Sequence, residues 1–534
     1  MRSLPTRRAV LGASAAIAGS GLLAACSGRS GSSGTDHGSM NHGGSAADGP
    51  EGYVDPAGPE VRAAEAARKA TGPLTEVKVT ATATPLDLGA GRTVRSWAYG
   101  DKLPGQEIRA TAGGTLSLTL ANNLPEATSL HWHGLSLRND MDGVPGLTQR
   151  DIAPGGSFTY KFAVAQPGTY WFHPHTGVQQ DRGLYAPLII EDPKEPLSYD
   201  KEWVVVLDDW IDGVDGATPD AVLAELRKGM NGDGAGGGGG HAGHGAPPAP
   251  GASRPGGRSH LLVGADSDIL GKDVGDVAYP YYLINGRVAE DPSVFTARPG
   301  DRIRLRIINA GGDTPFRIAL GGHELTVTHT DGYPVEHVKT SSLLLGMGER
   351  YDVLVTAQDG VFPLTALAEG KGQSALAVLR TGAGTAPTAT TRPAELDVRP
   401  PAADAFKAAG TAVLAPREPD RTVQIRLTGS MTRYDWAFDG KPYTPDQRHP
   451  VKAGERVRLE FRNATPMWHP LHLHGHTFAL GAGAGGARKD TSIILPGARM
   501  TADFDADNPG LWMVHCHNVY HSESGMMTVL GYQL

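Results

Sequence analysis

Three stretches of this chain share one frame: AGGTLSLTLAN (Ala112 to Asn122), PGDRIRLRIIN (Pro299 to Asn309) and AGERVRLEFRN (Ala453 to Asn463). Each opens on a glycine turn, runs on with apolar residues at alternate positions and closes on asparagine. Leu116, Leu118 and Leu120 of the first correspond to Ile303, Leu305 and Ile307 of the second and to Val457, Leu459 and Phe461 of the third. Period-two alternation marks a strand with one face in a core. Three copies predict an all-β chain of three related domains, Greek-key β-sandwiches being the simplest form. The length of 534 residues agrees, since ~150 residues per domain gives about three or four cores. So does composition: 72 glycines, 39 prolines and only 6% aromatics suit a loop-rich β protein better than a helical one.

The expected domains are residues 73–195, 200–384 and 421–534, with 385–420 as a linker. The second domain carries a low-complexity stretch, Asn231 to Gly257, expected as a disordered surface insertion at about 230–260. At the other end, Thr6-Arg7-Arg8 precedes an uncharged apolar run from Ala9 to Ala25, too short to span a bilayer in a mature protein. The arginine pair resembles a twin-arginine export signal, and Leu23-Ala24-Ala25-Cys26 resembles a bacterial lipobox. Residues 1–26 are therefore expected as a signal peptide, with Cys26 lipidated and the protein held on the outer face of the cell membrane or in the periplasm. Without the anchor it would be secreted. Residues 27–72 are expected as a flexible tether leading into a short helix around Val61 to Lys69. His37, Met40 and His42 in the tether, and His241 and His244 in the insertion, read as part of disordered segments. A net charge of −8 gives no reason to expect nucleic acid or an anionic membrane surface as partner.

The repeat also carries chemistry. Nine residues beyond Asn122 lies His131, opening HWHG, and nine beyond Asn463 lies His472, opening HLHG. In the middle copy the equivalent positions hold Ile318 and Leu320. A second pair recurs in the same outer domains, in GTYWFHPH (Gly168 to His175) and GLWMVHCH (Gly510 to His517). Residues i and i+2 of a strand share a face, so each His-x-His pair aims two imidazoles one way, a geometry for sharing or bridging metals. Cys516 must then face opposite to His515 and His517. A thiolate with two imidazoles and a weak axial methionine makes a blue, electron-transferring copper site. His521 and Met526 follow on an expected returning loop, and His469, turned away from His472 by Pro470, supplies the other imidazole. With Cys26 lipidated, Cys516 is the one thiol of the folded body, so no disulfide is expected.

HWHG, HPH, HPLHLHGH and HCHNVYHSESGM resemble, in order and in full, the four copper signatures of the multicopper oxidases. The likeness runs from about Leu74 to Leu534, in the three-domain, cupredoxin-like form of bacterial laccases and copper-tolerance oxidases. YPYYLINGR (Tyr279 to Arg287) and ERYDVLV (Glu349 to Val355) are similar to stretches of the actinobacterial copper-resistance oxidases. The resemblance implies four copper ions. One, of type 1, would be held by His469, Cys516, His521 and Met526. One, of type 2, would be held by His131 and His472, and a type 3 pair by His133, His173, His175, His474, His515 and His517. The cluster would lie between the first and third domains, with the middle one as a spacer.

The activity implied is one-electron oxidation of a donor coupled to four-electron reduction of O₂ to water. Cu(I) is the favoured donor, with Fe(II) and phenols as further ones and copper resistance as the role. Asp142, in NDMDGVPG, stands where related enzymes keep a proton-delivering acid. At the other end relatives place an acid directly after the type 1 histidine; here that residue is Ser522, and Glu523 follows as the possible donor. Met467 matches a methionine that helps bind cuprous ion, although the acid expected two residues earlier is Thr465. A laccase with phenolic or aromatic-amine donors is the alternative. A non-catalytic copper scaffold is opposed by the presence of every expected ligand. The chain is expected to act as a monomer.

Overall fold

The computed structural model describes residues 52–229 and 259–534. The expected signal peptide with Cys26, the first part of the expected tether and the Gly/His-rich insertion lie outside the described residues.

The repeated stretches occupy the same place in three sheets. Gly114–Asn123, Arg302–Asn309 and Arg456–Asn463 each run parallel to the first strand of their domain, Leu74–Gly89, Lys201–Trp210 and Arg421–Thr428 respectively. On the other side each pairs antiparallel with a later strand, Ser157–Val164, Arg350–Thr356 or Arg499–Asp505. Their alternate apolar residues are buried as the period predicts.

The closing asparagine has a structural reason. Asn122, Asn309 and Asn463 each accept the backbone N–H two residues on, from Leu124, Gly311 and Thr465. Each donates to carbonyls across the turn, Glu126 and Ile152, Thr314 and Leu345, or Met467 and Leu495. A buried amide that satisfies the loop's backbone groups pins where the next strand starts, and that strand carries the first His-x-His pair.

A second sheet faces each of these, giving sheets of four and four, six and five, and six and five strands. All four His-x-His motifs belong to the second sheets of the outer domains or to the loops leaving them. His131–His133 pairs with Gly168–His173, and His469–Leu473 pairs with Leu511–Cys516. In the middle domain Ile318 and Leu320 are fully packed, so the frame persists as core. One departure from strand alternation is informative. Arg304 and Arg306 fall on the polar face of their strand yet are buried, because the first domain docks there. Asp352 pairs with both arginines and accepts from Thr169 of the first domain at 2.6 Å.

The short helix expected around Val61 to Lys69 is present as Pro59–Ala67, but residues 52–72 as a whole are packed on the body and are not a flexible tether. Tyr53 bridges Gln533 at the far end of the chain, Val54 and Val61 are buried, and Pro59–Ala67 is an α-helix starting on proline. Glu65 accepts the N–H of Ala163 and Arg68 donates to Asn508, so this segment ties the first domain to the third. Its Ala/Glu/Arg composition hid the few apolar anchors that hold it. Residues 385–420 contain three short 3₁₀ turns and no strand.

Candidate metal centre

Eight imidazoles converge between the first and third domains, seven of them buried and His175 partly exposed. They form two triads and a pair. His175 Nε2 and His474 Nε2 lie 3.4 and 3.1 Å from His515 Nε2. His133 Nδ1 lies 3.2 Å from His517 Nε2, and the His173 ring is 5.8 and 5.2 Å from theirs. His131 and His472 complete the set, their ring centroids 5.9 Å apart. Each group draws on both outer domains.

Six of the eight outward nitrogens are tied down, which fixes the tautomers of those rings, whereas His517 Nδ1 has no hydrogen-bond partner among the described residues. The Nδ1–H groups of His131, His173, His472 and His515 donate to the carbonyls of Asp142, Pro174, Asp490 and Cys516, each at 2.9 Å. His474 Nδ1 donates to the Asp142 carboxylate at 2.9 Å. His133 is turned the other way, its Nε2 toward Asp490 at 3.1 Å. Burial, reinforced by neighbouring imidazoles, pushes the pKa values of His133, His173, His175, His474, His515 and His517 well below the usual histidine range. His472 is also lowered, chiefly by burial, against the pull of Asp490. Neutral rings therefore turn unprotonated nitrogens toward one another, and His131 Nε2, His173 Nε2 and His472 Nε2 are buried without any hydrogen-bond partner. Lone pairs packed this closely away from water are reconciled by shared cations, and the set fits copper.

The second centre lies on the other face of the Cys516 strand. Cys516 Sγ is 3.6 Å from both His469 Nδ1 and His521 Nδ1, and these nitrogens are 3.2 Å apart. Met526 is fully buried, its carbonyl accepting the Cys516 N–H. Two expectations change here. His469 needs no kink at Pro470: it pairs with Ile494 on the same continuous strand in which His472 pairs with Thr491. A separation of three, being odd, already puts the two rings on opposite faces. And His521 sits on a short helix, Val519–Glu523, capped by the Asn518 side chain, where a returning loop was expected. His469 Nε2 meets Thr465 Oγ1 at 2.8 Å, and His521 Nε2 meets Asp276 Oδ2 at 2.8 Å. Burial opposes the proton on His521, but the Asp276 carboxylate outweighs it and raises the pKa to about 10.

Asp276 comes from the middle domain and was not singled out from the sequence; only its nearness to YPYYLINGR could have drawn attention to it. The same holds for Asp490, whose surroundings in ARKDT resemble any surface turn.

Glu523 occupies the last turn of the helix. Together with Ser522 it lines a cavity of about 20 Å³ shared with His173, His175, His515 and His517. Burial raises its carboxyl to about 7, against the charge of Arg227. Asp142 is buried and bound to two cluster imidazoles. Met467 does not fit a substrate site, because its side chain is 1% exposed and belongs to the apolar core. Met467→Ala is expected to cost about 2–5 kcal/mol of stability, read as a lower Tm, with KM for Cu(I) unchanged.

Comparisons with known proteins agree with this geometry. Family profiles for multicopper oxidases match residues 80–195, 266–384 and 416–533. A multicopper oxidase of Mycobacterium tuberculosis, MmcO, is 49% identical over 480 residues, covering 89% of this chain and 90% of that protein. A copper resistance protein A homolog of Pseudomonas syringae pv. tomato is 31% identical, over 79% of this chain and 87% of its own. Among solved structures, Fet3p, a multicopper oxidase that functions in iron import, superposes with a TM-score of 0.69 at 21% identity, over 86% of this chain and 90% of that one. The laccase of Botrytis aclada does so with 0.69 at 24%, over 88% and 90%. Three β-sandwich domains enclosing a histidine cluster and a Cys/His centre on either side of one strand define a class of copper-dependent oxidoreductases. The chain belongs to the multicopper oxidase family. It couples oxidation of a reductant to reduction of O₂ to water.

Proposed function

We propose that this enzyme is a cuprous oxidase of the exported envelope, working with four copper ions. His469, Cys516, His521 and Met526 would hold one of type 1, and His131 and His472 one of type 2. The triads His133/His173/His517 and His175/His474/His515 would hold the type 3 pair. Copper at these positions supplies stepwise electron acceptance at the Cys516 centre and four-electron reduction of O₂ at the histidine cluster. The balance is four Cu(I), one O₂ and four protons giving four Cu(II) and two waters. A complete ligand set within one chain supports a monomer.

The protein's own part is positional. Cys516 is bonded through the main chain to His515 and His517, whose rings leave the opposite face, so a short covalent path joins the two centres. Glu523 and Asp142 border the cluster from two sides and are the groups placed to deliver protons.

The observation that carries the donor assignment is the Asp276 carboxylate on His521, with Asp273 beside it. Asp273 is partly exposed, and burial together with the Asp276 charge raises its pKa to about 7. Negative charge near the point of electron entry attracts cations such as Cu(I) and Fe(II), whereas a neutral phenol gains at most a hydrogen bond from it. Asp276 is itself fully buried and acts through His521, while Asp273 is the carboxyl that reaches solvent. An apolar cavity of about 430 Å³ between the middle and third domains, lined by residues such as Leu270, Ile493 and Met500, borders none of the four Cys516-centre residues, which gives the laccase reading no support. Asp276→Asn keeps an acceptor for His521 and removes the charge. It is expected to lower kcat/KM for Cu(I) and Fe(II) about tenfold, equivalent to ~1.4 kcal/mol, while oxidation of a simple phenol holds or rises. An equal loss for all three donors would count against the cation reading.

Export rests on Arg7-Arg8 and Leu23 to Cys26, read from the sequence. Among the described residues no helix is long and apolar enough to cross a membrane. Mass spectrometry of the mature N-terminus tests the anchor, a diacylated Cys26 being the expected result.

A further inference from the structure

The histidine cluster is framed by two aspartates in a near two-fold arrangement. On one side the rings of His131 and His474 stack with centroids 3.8 Å apart and planes at 23°. Asp142 binds both, taking His131 Nδ1–H on its carbonyl and His474 Nδ1–H on its carboxylate. On the other side His133 and His472 stack at 3.8 Å and 13°. Asp490 binds both, taking His472 Nδ1–H on its carbonyl and lying 3.1 Å from His133 Nε2 through Oδ1. Each stack joins one ring of the first domain to one of the third.

The two aspartates differ in what stands behind them. No arginine or lysine pairs with Asp142 among the described residues. Asp490 is gripped by Arg350 of the middle domain through two parallel bonds, both 2.7 Å, with both residues fully buried. Asp331 of the middle domain accepts the backbone N–H groups of Asp490 and Thr491 at 3.1 and 3.2 Å. Lys489 pairs with Asp331 and Glu349, each at 3.1 Å. The segment Lys489 to Thr491 is thus held at three points by a domain without copper ligands.

Two glycines show how close the packing is. A Cβ on Gly134, the glycine of HWHG, would collide with Arg350 and Asp490. One on Gly348 of the middle domain would lie 2.8 Å from His133 and 3.0 Å from His517, and its φ of +88° already favours glycine.

We infer that Asp490, clamped by Arg350, is a positioning residue that orients His133 and His472 for metal, so that the middle domain helps to build the oxygen-reducing cluster. A guanidinium fork leaves a carboxylate no freedom to rotate. Oδ1 is therefore fixed against His133 Nε2, and His133 Nδ1 is left facing His517. The carbonyl of the same residue sets His472. This rests on the ligand assignment proposed above, in which His133 serves the type 3 pair and His472 the type 2 ion; one residue then registers both.

The test uses the copper-loaded full chain and compares wild type with Asp490→Asn, Arg350→Lys and Thr491→Val. Copper per chain, the blue absorption of the Cys516 centre and the type 2 electron paramagnetic resonance signal are read alongside steady-state kinetics. Asp490→Asn should keep the blue band, shift the type 2 signal or lose cluster copper, and lower kcat without changing the donor KM. Arg350→Lys should fall between it and wild type. Asp490→Asn with full copper, an unchanged type 2 signal and wild-type kcat overturns the inference. Should that variant lose the blue band as well, and so have misfolded, Thr491→Val decides. Its hydroxyl lies 3.0 Å from His472 Nδ1 and 3.1 Å from His133 Nε2, and its removal alters no charge. A changed type 2 signal there supports the inference, and an unchanged one overturns it. A wild-type protein without a type 2 signal would instead refute the ligand assignment itself.

Discussion

A Cys516→Ser variant is expected to lose the blue absorption and to take up oxygen only at the background rate, while its histidine cluster still binds copper. The thiol is placed 3.6 Å from the inward nitrogens of both His469 and His521. A serine hydroxyl is close to it in shape but is a harder and far weaker donor, so the type 1 ion is lost or held without its strong thiolate bond. The opposite face should be untouched. His515 is oriented by the backbone carbonyl of residue 516, and its partners His175 and His474 do not depend on the thiol. Because the swap is small, the chain should fold, and copper counting with absorption and resonance spectra separates loss of one centre from loss of both. Substantial turnover in this variant would mean that electrons reach the cluster by another route.

Glu523→Gln is expected to lower kcat about a hundredfold, the scale of losing one positioned proton donor, with the donor KM and the blue band unchanged. The reason is placement: the carboxyl shares a small cavity with four cluster histidines, and Ser522 beside it has no acid to offer. The sign of the pH effect follows from the raised value of about 7. The acid form prevails below it and is lost as pH rises through it, so wild-type kcat should fall across that window. Glutamine has no proton to titrate there, and the variant should lose this limb. An unchanged kcat would move proton delivery to Asp142 alone.

Much of this was legible in the sequence because it is periodic or contiguous. The three strand frames announced the sandwiches, and strand parity placed Cys516 opposite His515 and His517. The middle copy of the motif, which lacks the histidines, agreed with the place between the outer domains that the family resemblance implied for the cluster. What was not legible depends on contacts across the chain. Asp276 lies 245 residues from its partner His521, Arg350 lies 140 from Asp490, and Asp490 lies 357 from His133. None carries a local pattern. The kink assigned to Pro470 and the returning loop expected at His521 failed for a shared reason: the first is in a regular strand and the second on a helix, and neither state shows in so few residues. Residues 52–72 looked like a tether because their hold on the fold comes from Val54, Val61 and a few polar bonds, too sparse to form a period.

The most direct measurement is oxygen uptake by the copper-loaded full chain with Cu(I), Fe(II) and a simple phenol as sole donors, with peroxide assayed in the same vessel. Four Cu(I) should be consumed per O₂, with no free peroxide and a kcat/KM for Cu(I) above that for the phenol. Peroxide release, or a phenol preferred over both metal ions, would contradict the assignment as a cuprous oxidase.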